Sequence, residues 1–313
     1  MSTNEKKPWS AEDLYKLQLI TDLKISPDGQ NIAYTQQRVD QATEKKYSNI
    51  WLVETAADAT PRQFTYGNQV DSTPRWSPDG QTIAFTSNRA DERQSHLYLI
   101  PLNGGEARPL NQELKGQIAY FEWSPDGSKL LFQFRKTDAE ALERQEDEQK
   151  KKLGVVAHHI TELSYKTDGG GYLPEEKWHL WLLDVESGET TQLTDGDYSE
   201  LSPTWSPDGE TILFVSDRTD GPLRGGFSEN MELYTIPAAG GDLTHLPAHD
   251  GRIMGAASYS PDGSHIAYLG VPEKIGKWWQ NGELYIIPAE GGEAQNLSHE
   301  YDVDITSTTL GDF

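Results

Sequence analysis

The tetrapeptide Ser-Pro-Asp-Gly occurs five times in this chain, with its serine at Ser26, Ser77, Ser124, Ser206 and Ser260. The intervals of 51, 47, 82 and 54 residues mark a structural repeat, not scattered coincidence. Proline presets φ near −65° for the first central position of a tight turn. Aspartate suits the second position, and glycine accepts the left-handed conformation that follows. The tetrapeptide therefore predicts a type I turn that closes a hairpin with a glycine bulge. A short strand ending in an aromatic residue precedes it: Trp76, Trp123, Trp205 and Tyr259 in the last four copies. An alternating β-rich run follows it: NIAYTQ, TIAFTS, KLLFQF, TILFVS and HIAYLG.

A third strand then begins at Ile50, Leu97, Leu180, Leu233 and Leu284. In the last four repeats a glycine-containing turn and a short polar-flanked strand ending in leucine complete the unit. In the first repeat that strand ends at Phe64. We refer to the four strands of each repeat as A to D. The apolar period is two throughout, which excludes a helical solenoid. Four antiparallel strands in about 45–50 residues are the signature of a propeller blade. The expected fold is an all-β propeller with five four-stranded blades over residues 21–301. A helical segment over 1–20 precedes them, and residues 302–313 are the truncated start of a sixth blade.

The long third interval places an insertion over residues 136–172, between strands B and C of blade three. It opens with DAEALERQEDEQKKK (residues 138–152), mostly strong helix formers with acids leading and lysines trailing. Glu140–Arg144, Glu146–Lys150, Asp147–Lys151 and Glu148–Lys152 are all spaced to pair at i,i+4 on one solvated helix. The remainder reads as strand, glycine-rich turn and return into strand C.

Alternate connections of an up-and-down blade lie on opposite faces. The A–B and C–D turns share one face and are short. The B–C and D–A connections share the other, which holds every long, irregular loop. Function concentrates on loops held by a rigid scaffold, so the B–C face is the expected working face. The other reading is that these are merely tolerated insertions.

Composition narrows the chemistry. The chain has no cysteine, which removes disulfides and thiolate metal sites and fits a reducing compartment. The net charge of −23 opposes contact with phosphate backbones, so nucleic acid is not an expected partner. The opening residues lack the apolar stretch of a secretory signal, and no run reaches the ~20 apolar residues of a membrane span. The expected location is cytoplasmic.

No Gly-x-Ser-x-Gly pentapeptide is present, so a complete Ser-His-Asp hydrolase is not expected within these residues, and no catalytic residue is assigned. His158 and His159 are adjacent, which on a strand sends them to opposite faces. Asp195 and Asp197 lack the later ligands of a calcium loop. No metal or cofactor is expected. Glu175 and Glu176 follow Pro174 and fit a solvated hairpin, although they could also receive a substrate amine. Arg218 and Arg224 flank a glycine-rich loop and could meet a substrate carboxylate, a partner's acid or only water. Trp278 and Trp279 lie in a B–C loop with Lys274 and Lys277, and read as an interface or as local packing.

Several features together carry a family resemblance over nearly the whole chain. They are SAEDLYKL before the first turn, the W/Y-SPDG blades, the LYxIPxxGG returns, and the insertion running through YKTDGGGYLP to HLWLLD. In these the chain resembles the N-terminal propeller of the prolyl oligopeptidase family of serine peptidases, specifically its acylaminoacyl-peptidase-like branch. The resemblance implies a propeller of seven or eight blades capping an α/β-hydrolase domain and restricting access to short peptides. The chain departs from that pattern in ending at LGDF, with neither further blades nor the hydrolase domain. None of the family's catalytic residues has a counterpart, and the Trp-x-Tyr-Glu-Glu pattern of dipeptidyl peptidases is absent. On this reading the chain is a non-catalytic propeller that gates and selects peptides, with Arg135, Tyr165, Asp168 and Tyr172 touching substrate. Its expected partners are short peptides and an α/β-hydrolase domain, with self-association through open blade edges. The alternative is a self-contained Tol-type propeller that serves protein–protein interaction.

Overall fold

The computed structural model describes residues 8–155, 157–219, 230–272, 280–301 and 303–305. A 3₁₀ turn over Ala11–Lys16 is fastened where the Ser10 backbone N–H donates to Asp13 Oδ2 at 2.9 Å. Strand β1 already begins at Gln18, so residues 18–20 are extended and not part of the helical segment expected over 1–20.

The chain divides into two compact units, Met1–Glu113 and Leu114–Phe313. The first holds two antiparallel sheets, each with its strands in sequence order. One is β1 (Gln18–Ile25), β2 (Asn31–Val39), β3 (Lys46–Glu54) and β4 (Arg62–Gln63). The other is β5 (Asp71–Trp76), β6 (Thr82–Asp91), β7 (Gln94–Pro101) and β8 (Arg108–Pro109). Buried Ala33, Ile50, Leu52 and Phe64 of the first sheet meet Trp76, Ile83, Phe85, Tyr98 and Ile100 of the second in one core. Strand β1 itself is almost wholly exposed, with Leu19, Ile20, Leu23 and Ile25 uncovered.

The second unit holds three more four-stranded sheets among the described residues. Its first sheet takes β9 (Gly116–Trp123), β10 (Lys129–Lys136), β13 (His179–Asp184) and β14 (Thr190–Gln192). A small separate hairpin, β11 (Lys166–Thr167) and β12 (Gly171–Tyr172), lies between β10 and β13 in the chain. Next come β15 (Glu200–Trp205), β16 (Thr211–Asp217), β17 (Met231–Pro237) and β18 (Thr244–Leu246). The last sheet is β19 (Arg252–Tyr259), β20 (His265–Val271), β21 (Glu283–Pro288) and β22 (Gln295–Asn296). Leu131, Leu180 and Leu182 pack on Trp205, Ile212, Phe214 and Ile236. On the far side of that middle sheet, Leu213, Val215, Leu233 and Leu246 pack on Ile253, Ile266, Tyr268 and Ile287. The fold is all-β and propeller-like. Of the segment expected to begin a sixth blade, residues 303–305 are described. There Gly282 N–H donates to Asp304 Oδ1 at 2.9 Å, and Ile305 N–H to the Gly282 carbonyl at 3.2 Å.

The five repeated turns share one geometry, and the serine has a role in it beyond filling a position. In the first copy Ser26 Oγ donates to Asp28 Oδ1 at 2.5 Å and accepts the Asn31 backbone N–H at 2.9 Å. Asp28 Oδ1 also accepts the Gln30 N–H at 3.0 Å. The same contacts recur around Ser77, Ser124, Ser206 and Ser260. The turn glycine is left-handed each time, with φ of 72°, 69°, 73°, 74° and 73° at Gly29, Gly80, Gly127, Gly209 and Gly263. The serine hydroxyl thus ties the aspartate to the first residue of strand B, and the turn sets the register of its hairpin.

Candidate functional site

The connection between β10 and β13 is the longest between adjacent strands of any sheet in the second unit, and it leaves from the B–C end of its sheet. It runs from Thr137 to Trp178, so its return extends beyond the expected boundary at 172. Its helical part is two helices, not one: α1 (Ala139–Glu146) and α2 (Glu148–Leu153), neither with a buried residue. The break is Asp147, whose carboxylate accepts the backbone N–H groups of Gln149 and Lys150 and caps α2. An aspartate satisfies orphan helix N–H groups better than it propagates a helix, and here that preference outweighs the surrounding helix formers. The break also redirects the pairing. Glu140–Arg144 forms at 3.7 Å as spaced, but Lys150 turns to Glu143 and Lys151 to Glu148.

Both ends of the insertion are tied at Asp138. Its carboxylate accepts the backbone N–H of Glu175 at 3.3 Å and of Glu176 at 3.0 Å. The paired glutamates thus contribute main-chain donors to this tie. Between the ends, Lys177 pairs with Glu162 at 2.7 Å. The β11–β12 hairpin carries an aromatic group: His158 stacks on Tyr172 with ring centroids 3.7 Å apart, and Tyr165 lies 6.2 Å from Tyr172. Lys166 Nζ sits 5.7 Å over the Tyr172 ring. Asp168 is exposed at the tip, followed by left-handed Gly169. Tyr165, Tyr172, Leu163 and Leu173 are all exposed, which gives the insertion an apolar surface.

Arg135 lies at the base of this insertion, one residue before β10 ends. Its guanidinium carbon is 4.4 Å from the centroid of the Trp178 ring, a stacked cation–π contact. Its Nη2 donates to Gln117 Oε1 at 2.5 Å. Burial lowers its pKa below the ordinary arginine value, and the nearby Asp138 charge opposes that shift. The backbone beneath it is tightly fitted: a Cβ on Gly116 would fall 2.1 Å from the Arg135 carbonyl oxygen. Among the described residues, no hydrogen bond or cation–π contact joins Arg135 to Tyr165 or Tyr172, so the expected substrate contacts form two groups.

Arg218 is placed differently from its expected role. Its Nη2 donates to Glu200 Oε1 at 2.5 Å, and its guanidinium sits 5.2 Å from both the Tyr198 and Tyr234 rings. Glu200 has no exposed side-chain surface, and its second oxygen meets His179 Nδ1 at 2.9 Å and the Thr194 hydroxyl at 2.6 Å. The charge of Arg218 is therefore met inside the chain, because a carboxylate buried this completely holds a cation beside it. Arg224, Trp278 and Trp279 lie outside the described residues.

The first unit repeats this pairing. Arg89 Nη2 meets both oxygens of fully buried Asp71 at 2.9 Å and covers Phe85 and Tyr98. In both cases the acid opens strand A six residues before the turn serine, and the arginine follows eighteen residues after the acid. DSTPRW-SPDG…SNR and ELSPTW-SPDG…SDR therefore carry a legible signal that sequence reasoning passed over. Cross-strand pairing explains the spacing, since Asp71 faces Ser87 and Glu200 faces Ser216, two residues before each arginine. Among the described residues, no three His, Cys, Asp or Glu side chains are grouped to hold a metal ion.

Comparison with known proteins finds similarity to a propeller family and to several peptidases. Residues 20–163 match the PD40 family, described as the TolB beta propeller domain. A Bacillus subtilis protein named uncharacterized peptidase YuxL is 34% identical over 215 residues, 69% of this chain and 32% of its own length. Dipeptidyl-peptidase 5 of Porphyromonas gingivalis is 25% identical over 97% of this chain and 44% of its own. Among solved structures, acylaminoacyl peptidase of Pyrococcus horikoshii superposes with a TM-score of 0.69 at 21% identity, covering 94% of this chain and 42% of that one. The chain thus spans between about a third and under a half of the length of these three relatives.

Proposed function

We propose that this TolB-like propeller serves a serine peptidase as its non-catalytic, peptide-selecting part, and that the B–C end of the second unit is where peptides are met. The observation that carries the reading is the stapled insertion at that end. It carries exposed aromatic and aliphatic side chains, and Arg135, stacked on Trp178, lies at its base. Large, stiff, amphipathic side chains bind extended peptides at small conformational cost. The relatives' names, two peptidases of defined type and one peptidase without a characterised substrate, agree with such a role. An α/β-hydrolase domain is the expected catalytic partner, as the family resemblance implies.

The test uses the 313-residue chain alone. Acyl-alanyl p-nitroanilide should not be turned over, while short peptides should bind measurably by calorimetry. A variant in which residues 139–174 are replaced by a short glycine-serine linker should lose that binding and keep its β-sheet circular dichroism. Hydrolysis by the isolated chain, or unchanged peptide binding without the insertion, would refute the proposal.

A further inference from the structure

Several partly shielded arginines in this protein sit on carboxylates. Arg75 has Asp22 at 2.8 Å, Arg89 has Asp71 at 2.9 Å and Arg218 has Glu200 at 2.5 Å. In a chain with 50 acidic and 27 basic residues, a shielded arginine without an acid stands out. Arg135 is such a residue, and so is Arg38, whose guanidinium is instead met by the neutral oxygens of Asn49, Gly67 and Asn68. The carboxylate placed to neutralise Arg135, Asp138, is instead held by the backbone N–H groups of Glu175 and Glu176. Its hydrogen-bond acceptor is a neutral amide oxygen on Gln117. A guanidinium carries five N–H donors in a planar fork, and Nε and Nη1 meet no acceptor among the described residues. Stacking on Trp178 fixes the plane of that fork, and Nη2 carries two hydrogens, so with one given to Gln117 the other can still act beside Nε–H or Nη1–H to receive two oxygens of an oxyanion.

Resting on the reading of this end as a peptide-binding surface, we propose that Arg135 on Trp178 is the seat of a peptide's C-terminal carboxylate. The substrates selected would then be short peptides with a free C-terminus. A carboxylate is favoured over a phosphate group because the net charge of −23 opposes a dianion more strongly than a monoanion. Trp178 also links the seat to the sheet beyond it. Its carbonyl accepts the Glu200 N–H at 2.8 Å, and its own N–H donates to Ser199 Oγ at 3.2 Å. The backbone that carries this indole is therefore anchored at the start of β15 and does not depend on the loop alone.

The experiment compares acetyl-Ala-Phe with free carboxylate, the same peptide as its amide, and inorganic phosphate. Each is titrated calorimetrically into the whole chain and into its Arg135→Gln and Arg135→Lys variants, with near-UV circular dichroism as the folding control. The acid should bind about tenfold or more tightly than the amide. Arg135→Gln should erase most of that difference by weakening the acid's binding far more than the amide's, a selectivity that general damage to the site would not give. Arg135→Lys should retain part of the preference, since it keeps the charge and loses the fork. Equal affinities for acid and amide would overturn the carboxylate seat while the peptide-binding reading stands. Binding of neither peptide would overturn both. Phosphate binding as tight as the acid's would reduce the site to a general anion site and also overturn the assignment.

Discussion

Glu200 shows how much of this protein's order depends on single buried charges. Its two oxygens engage Arg218, His179 and Thr194, so no cheaper arrangement of those groups is at hand when it is removed. Glu200→Ala should cost ~3–5 kcal/mol, because it leaves the half-buried Arg218 charge without its counter-ion. Glu200→Gln keeps an acceptor for Arg218 and should cost clearly less. Urea unfolding midpoints of the two variants check both the size and the order. The turn aspartates act in the opposite regime, at the surface. Serine hydroxyls first, then backbone N–H groups and a second serine hydroxyl, hold Asp126 and Asp262 down to about 2. Asp28, Asp79 and Asp208 are lowered by their turn serines and backbone N–H groups in the same way. A carboxylate with a folded pKa below its unfolded value of about 3.9 contributes stability that is complete above that value and lost as pH falls. Stability should therefore hold steady above about pH 4 on this account and decline towards pH 2. Asp126→Asn should make the decline shallower in a pH series of thermal melts, since an amide keeps the acceptor and does not titrate.

The hairpin is the element on which the fold is written, and its turn glycine tests that directly. A Cβ on Gly29 would meet nothing within 4 Å, so any penalty there comes from the backbone conformation alone. Gly29→Ala should cost ~1–2 kcal/mol, and Gly29→Asn less, because asparagine tolerates left-handed φ. Denaturant midpoints for the pair would show the ordering, and equal costs would contradict it. Turns of this kind were legible in the sequence because every determinant lies within a few residues. Strands A to C were legible for a related reason: a period of two survives whatever the strand packs against. Two things were less visible. The split between α1 and α2 turns on whether Asp147 propagates a helix or caps one, and composition favours the first while geometry chose the second. The acid–arginine pairs span eighteen residues across a hairpin. Reading them requires carrying the register set by the turn past the irregularity in β5 on β6 and in β15 on β16, so the signal becomes legible only once the two repeats are compared. Arg218, for which the sequence leaves open a substrate carboxylate, a partner's acid or water, has an acid within the chain in Glu200.

At the scale of the whole molecule, charge and exposed apolar surface oppose each other. The net charge of −23 keeps copies apart, while β1 leaves Leu19, Ile20, Leu23 and Ile25 uncovered on a sheet-edge strand. Salt screens the first effect and not the second, with a Debye length of about 10 Å at 0.1 M. Sedimentation velocity should therefore show more self-association as ionic strength rises. A double Leu23→Lys, Ile25→Lys variant should remain monomeric under the same conditions. Association that weakens with added salt would point to charge pairing between copies instead.

The contact between Asp138 and the main chain of Glu175 and Glu176 has one more implication. By holding the two roots of the insertion side by side, it makes the segment between them a detachable cassette, one that could be exchanged for a segment of different length or chemistry without asking β10 and β13 to move. Diversification of ligand preference at this rim would then proceed by replacing the cassette, with the sheet beneath it left as found.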